Sequence, residues 1–170
     1  MIFLIGIGIF IVFGMFFNIF LLLLENKIKL LENKIIDSFK KRSNLIPALF
    51  EISKNYIEKE NEVFEEILYL RKLEFYNISS KNINFVNFIE NEKKIHYEIE
   101  FLFKVFDKKP KILKNEKFLY TKENLLDITN LIGKNIILYK NIVQKYNFLL
   151  SFKNITIIGL FFQIEKKEII

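Results

Sequence analysis

The sequence has 170 residues, 51% of them hydrophobic and 27% charged, with a formal net charge of +6, no cysteine, no tryptophan and one histidine. That length accommodates about one domain. The composition excludes disulfide frameworks, thiolate zinc sites, cysteine nucleophiles and, within one chain, metal centres built on two or three histidines.

Residues 1–24, MIFLIGIGIFIVFGMFFNIFLLLL, carry no charge, and Asn18 is their only strongly polar side chain. As a helix they reach about 36 Å, against a hydrocarbon core of about 30 Å. A cleaved signal peptide wants a basic start, a shorter apolar run and a small-residue cleavage site. No Lys or Arg precedes this run and the first alanine is Ala48, so the segment reads as an uncleaved anchor. Lys27, Lys29, Lys34, Lys40, Lys41 and Arg42 follow it. Positive charge is retained on the cytoplasmic side, which predicts a short N-terminus outside and the body in the cytoplasm. Within the span, Gly14 and Asn18 share a face at i,i+4. That face either seats a partner helix, with a hydrogen bond on the order of 1 kcal/mol, or is merely tolerated.

Beyond the span, apolar residues recur at three and four. Ile28, Leu31, Ile35 and Phe39 form one stripe. Leu49, Ile52, Tyr56, Val63, Ile67 and Leu70 form a second, interrupted by Glu60. Phe85, Phe88, Ile95, Ile99, Leu102 and Phe106 form a third, and Leu125, Ile132, Ile136, Tyr139, Val143, Tyr146 and Leu150 a fourth. That period is helical, and each stripe must be buried against another. Asn44-Leu45-Ile46-Pro47 reads as an N-cap and first turn. Residues 77–84 form a polar loop, and Pro110 ends the third helix. The predicted helices are thus 25–43, 47–76, 84–107 and 115–152. The fold class is all-α: a transmembrane helix (1–24), an up-and-down four-helix bundle (25–153) and a tail (154–170). The second helix, at about 45 Å, exceeds the first, at about 28 Å. Either the bundle tilts, or Pro47 is only a kink in a three-helix bundle; four helices are preferred.

Residues 41–60, KRSNLIPALFEISKNYIEKE, resemble the LemA family of bacterial membrane-anchored proteins. Lys41 and Arg42 match its basic pair, Leu45, Ile46 and Pro47 its core motif, and Tyr56 and Glu60 its later positions. Tyr139, Tyr146 and Asn147 fall at its seven-residue Tyr-Asn repeat, with Val143 between them, and Ser151-Phe152 matches a further element. Asn55, Lys59, Thr129, Lys140 and Lys153 depart from the pattern. The resemblance implies a four-helix, bromodomain-like bundle on one transmembrane helix, with no established enzymatic role. Some relatives belong to the magnetosome membrane and others are encoded beside a membrane zinc metalloprotease. A membrane-bound assembly partner, such as a membrane protease, is therefore implied.

No catalytic, cofactor or metal residue is expected. Glu92 and His96 share a helix face, but a di-iron bundle needs two such motifs and more glutamates, so His96 reads as solvent-facing. Glu58, Glu60, Glu62, Glu65 and Glu66 read as a solvated, ion-paired face; a carboxylate-based metal or acid–base site is the alternative. Lys27 and Lys29 lie within screening distance of lipid headgroups, whereas Lys40 is about 24 Å along the helix. Nucleic acid is not an expected partner, because no interleaved aromatic-basic groove occurs. The apolar stretch 155–164 is too short to span a bilayer. It either lies in the interface, with Lys166 and Lys167 at the headgroups, or caps the bundle. The expected function is a non-catalytic scaffold or adaptor at the inner membrane. A metal-binding or catalytic bundle and a self-assembling membrane organiser are the alternatives.

Overall fold

The computed structural model describes residues 2–56, 61–79, 85–152 and 166–170. These residues contain four α-helices: α1 (Ile2–Ser53), α2 (Asn61–Ser79), α3 (Phe85–Phe106) and α4 (Glu116–Leu150). Short 3₁₀ turns lie at Lys54–Tyr56 and Ile112–Lys114, and no strand occurs among the described residues. The all-α class expected from the 3–4 periodicity is what the chain adopts.

Two predicted boundaries are corrected. The first is at Asn44–Pro47, where a turn was expected; α1 runs through it with Pro47 inside. A proline there removes one i→i−4 hydrogen bond and crowds the carbonyl of Ser43, at a cost of about 3 kcal/mol. Ile46 and Leu49, on either side, are fully buried. Each such side chain contributes roughly 1.5–3 kcal/mol, so packing of this face outweighs the proline. The second correction follows: the single helix expected over 47–76 is divided, because α1 stops at Ser53. There the Ser53 Oγ–H donates to the carbonyls of Leu49 (2.6 Å) and Phe50 (3.3 Å), tying the side chain back to the last turn of the helix.

The later boundaries fall close to expectation. After α3, Asp107, Lys108 and Lys109 turn back onto the carbonyls of Phe103, Val105 and Phe106, and Pro110 follows. Asn115 then caps α4, its Oδ1 accepting from the Phe118 N–H (3.2 Å).

The chain divides into two compact units, Ile35–Lys134 and Met1–Lys34 with Asn135–Ile170. In the first, all four helices contribute to one apolar core. Ile46 and Leu49 come from α1, Phe64 and Ile67 from α2, Ile95, Ile99, Leu102 and Phe106 from α3, and Phe118 and Leu125 from α4. Phe50 meets Phe64 edge-on (5.0 Å) and Ser43 meets Arg71, so α1 and α2 run antiparallel. Phe39 meets Phe88 (5.5 Å) and Arg42 meets Glu92, so α1 and α3 run parallel. Phe106 meets Phe118 (5.1 Å) and Phe103 lies under Lys122, so α3 and α4 run antiparallel. The unit is thus an up-and-down four-helix bundle.

In the other unit, the first part of α1 lies antiparallel to the last part of α4. Tyr139 bonds to Glu32, and Lys145 lies over the ring of Phe20. Buried Leu21, Leu24, Ile28 and Leu31 on α1 and Tyr139, Val143, Tyr146 and Leu150 on α4 repeat at alternating three and four, the spacing of a coiled-coil seam.

Candidate functional site

The motif residues of α1 lie in the four-helix bundle. The seam of α1 passes from Ile35 through Phe39 to Ile46 and Leu49, and Arg42 occupies a position in it. The matching seam of α3 runs Phe88, Glu92, Ile95, Ile99. Each seam thus carries one charge, and the charges meet: Arg42 Nη2 donates to Glu92 Oε2 and to the Glu92 carbonyl (3.3 Å). Arg42 is 2% exposed and Glu92 1%. The Arg42 guanidinium also lies over the ring of Phe39, 4.8 Å from its centroid. Burial pushes the Glu92 carboxyl up, to about 7, against the pull of Arg42. The guanidinium stays protonated. Within the described residues, Arg42 Nε and Glu92 Oε1 make no hydrogen bond.

Leu45 packs on the edge of the core, Ile46 lies within it, and Pro47 is half-buried. Tyr56 packs against the core as well, and its carbonyl accepts from Lys109 Nζ (2.6 Å). Glu60 lies outside the described residues, as do Glu58 and the apolar stretch 155–164.

The α4 motif residues belong to the other unit. The buried Tyr139 hydroxyl donates to Glu32 Oε1 (3.3 Å). Burial raises both groups, desolvation being the main cause in each. Tyr146 is fully buried. Asn147 makes a two-point clamp: its Nδ2 donates to the Lys167 carbonyl (2.7 Å) and its Oδ1 accepts from the Lys167 N–H (2.9 Å). Lys167 Nζ lies 4.0 Å from Glu25, which also pairs with Lys29 (3.0 Å). Lys27 is exposed.

His96 is half-buried rather than fully solvent-facing. It turns toward Glu100 (3.3 Å), not Glu92, and desolvation lowers its pKa, with Arg42 adding to the effect. Among the described residues no three His, Cys, Asp or Glu side chains group as metal ligands. Glu62, Glu65 and Glu66 are exposed on α2. Asn18 Nδ2 donates to the carbonyl of Gly14 (2.8 Å), so the amide proposed for a partner helix spends a donor on its own backbone.

Glu92, Glu32, Glu25 and Lys167 were not assigned these roles from sequence. For Glu92 the signal existed: a carboxylate in register within an apolar stripe, matched by an arginine in register within another. For Lys167, twenty residues from Asn147 and outside any periodic pattern, no such signal exists.

These features define an all-α bundle in which the motif residues Arg42, Tyr139 and Tyr146 are turned inward, with a first helix apolar and long enough at its N-terminal end to cross a membrane. The family model "LemA family" matches residues 32–170, and the chain belongs to the LemA family. No curated protein and no solved structure matches it.

Proposed function

We propose that this protein is a single-pass protein of the bacterial inner membrane, N-terminus outside, whose cytoplasmic bundle serves as a non-catalytic scaffold or adaptor for membrane-associated partners. The observation that carries the reading is the destination of the polar motif residues. Arg42 is spent on Glu92, Tyr139 on Glu32 and Asn147 on the Lys167 backbone. A catalytic or ligand-recognising set would converge on an accessible cleft. These instead fix helix register, leaving the exposed charged faces as the recognition surface.

The anchor reading is supported by exposure. Thirteen large apolar side chains between Ile5 and Leu23, among them Ile9, Phe13 and Phe16, stand in the open. A core helix of a soluble protein would bury them, and a soluble monomer rarely exposes so long an apolar surface. Leu21 and Leu24 are buried, so the end of this segment is part of the folded unit. The anchor would hold the bundle and its partner at the same membrane, raising their effective concentration.

Cross-linking through exposed Lys93, Lys94 and Lys104 in intact membranes tests this, comparing the full chain with one lacking residues 2–20. The reading expects reproducible links to a second membrane protein, a membrane protease among the candidates, that vanish on deletion. Links confined to copies of this chain would favour a membrane organiser instead. Stoichiometric iron or manganese in the purified protein would favour the metal-binding alternative.

A further inference from the structure

We propose that the C-terminal turn of α4 is a second membrane contact, with Phe148 and Phe152 embedded in the bilayer interface beside α1 and Lys145 meeting anionic headgroups. The inference rests on reading residues 2–24 as bilayer-spanning. It starts from register. Glu32 lies opposite Tyr139 in the antiparallel pair of α1 and α4. Moving eleven residues toward the apolar end on each helix places Leu21 opposite Leu150, and both are buried.

Two further contacts agree with that level. Asn147 holds Lys167, whose ammonium lies near Glu25, the last residue before the uncharged segment begins. Lys145 Nζ sits over the ring of Phe20, 5.5 Å from its centroid, already within that segment. The last turn of α4 therefore overlaps the end of the span by about four residues, or roughly 6 Å. Interfacial helices bury their apolar faces about 5–10 Å into the headgroup–acyl boundary, so the depth fits.

The side chains at this level suit a lipid interface. Phe148 is 64% exposed and pairs edge-on with exposed Phe152 (5.2 Å, 78°). Exposed phenylalanines on a helix end that also carries an exposed lysine are the composition of an interfacial membrane segment. Glu25 is paired with Lys29 and Lys167, and exposed Lys27, Lys145 and Lys166 outnumber the exposed carboxylate of Glu168, so the local balance among the described residues is positive. Anionic headgroups complement that charge.

The chain has no tryptophan, so a single introduced one reports its own surroundings. Full-length Phe148→Trp, Phe13→Trp and Phe101→Trp are reconstituted separately into vesicles of phosphatidylcholine and phosphatidylglycerol. One set of vesicles contains lipids brominated near the headgroup end of the acyl chain, and another lipids brominated near the bilayer centre. Phe148→Trp is expected to emit at shorter wavelength and to lose most of its emission to the shallow bromines. Phe101→Trp, on the exposed face of α3, is expected to lose none, and Phe13→Trp to be quenched by the deep bromines. Quenching of Phe13→Trp without quenching of Phe148→Trp overturns this proposal while the anchor stands, even if the Phe148→Trp emission is shifted, since protein contact alone shifts emission. Absence of quenching at Phe13→Trp removes the anchor reading and this proposal with it.

Discussion

Arg42 on α1 and Glu92 on α3 form an ion pair inside the apolar core of the Ile35–Lys134 bundle, each at a position that continues a stripe of aliphatic and aromatic residues. Parallel helices packed through such stripes can slip by a turn and still bury apolar surface. A single paired charge in each stripe opposes that slip, because a shifted register leaves both charges buried and alone.

Removing one member should therefore cost far more than removing both. Glu92→Ala is expected to lower stability by about 3–5 kcal/mol, through the uncompensated Arg42 charge left behind, whereas after Arg42→Ala the Glu92 carboxyl takes up a proton and the loss is smaller. Because Arg42 Nε and Glu92 Oε1 make no hydrogen bond among the described residues, the pair is incompletely satisfied. Arg42→Met with Glu92→Leu is expected to be neutral or to gain about 1–4 kcal/mol. Urea unfolding of the four proteins checks this; additive losses in the double variant would contradict it.

The same pair sets a pH dependence. The Glu92 carboxyl sits near 7 in the folded chain, above its ordinary 4.5. The folded state thus holds this proton more tightly than the unfolded one, and this contribution to stability declines as pH rises from about 4.5 through about 7. His96 acts oppositely: its pKa is lowered, so its contribution declines as pH falls below 6.5. In a His96→Gln background, midpoints should fall from about pH 5 to about pH 8, and adding Glu92→Gln should flatten that fall. A flat profile before the second change would show that Glu92 does not titrate in this window.

Pro47 separates two readings of α1. In mid-helix it withholds one backbone hydrogen bond, so Pro47→Ala should restore it and stabilise the protein by about 1–2 kcal/mol, after allowance for a freer unfolded chain. Were Pro47 the first residue of a helix after a turn, the substitution would instead be neutral or destabilising. Thermal unfolding distinguishes the two.

The Asn147 clamp predicts local protection. Asn147→Ala removes both hydrogen bonds to the Lys167 backbone, each contributing about 0.5–1.5 kcal/mol. Hydrogen exchange at the Lys167 amide should accelerate accordingly while amides of the α3 core, such as Ile99, keep their rates. Unchanged exchange at Lys167 would mean the clamp does not hold in solution.

Much of the fold could be read from the chain because apolar period dominates over intrinsic propensity. The Phe- and Ile-rich stripes of α3 and α4 placed both helices within about two residues of their ends, and Pro110 marked a real boundary. The misreading at Pro47 came from weighing a local signal above burial: Ile46 and Leu49 continue the seam through the proline. Arg42 was recognised as part of a motif but not as a core residue, because its partner lies fifty residues away. Periodicity assigns faces, and it identifies no partners. Tyr139 was legible as part of a buried stripe, but its partner Glu32 was hidden for the same reason, as was the Lys167 partner of Asn147.

The central claim is that the apolar start of α1 is a permanent anchor and also part of the folded protein. The most direct measurement is the intact mass of the chain recovered after an alkaline carbonate wash of bacterial membranes. The account predicts the full 170-residue mass in the pellet. Recovery in the supernatant, or a mass corresponding to a chain that starts near Glu25, would contradict it.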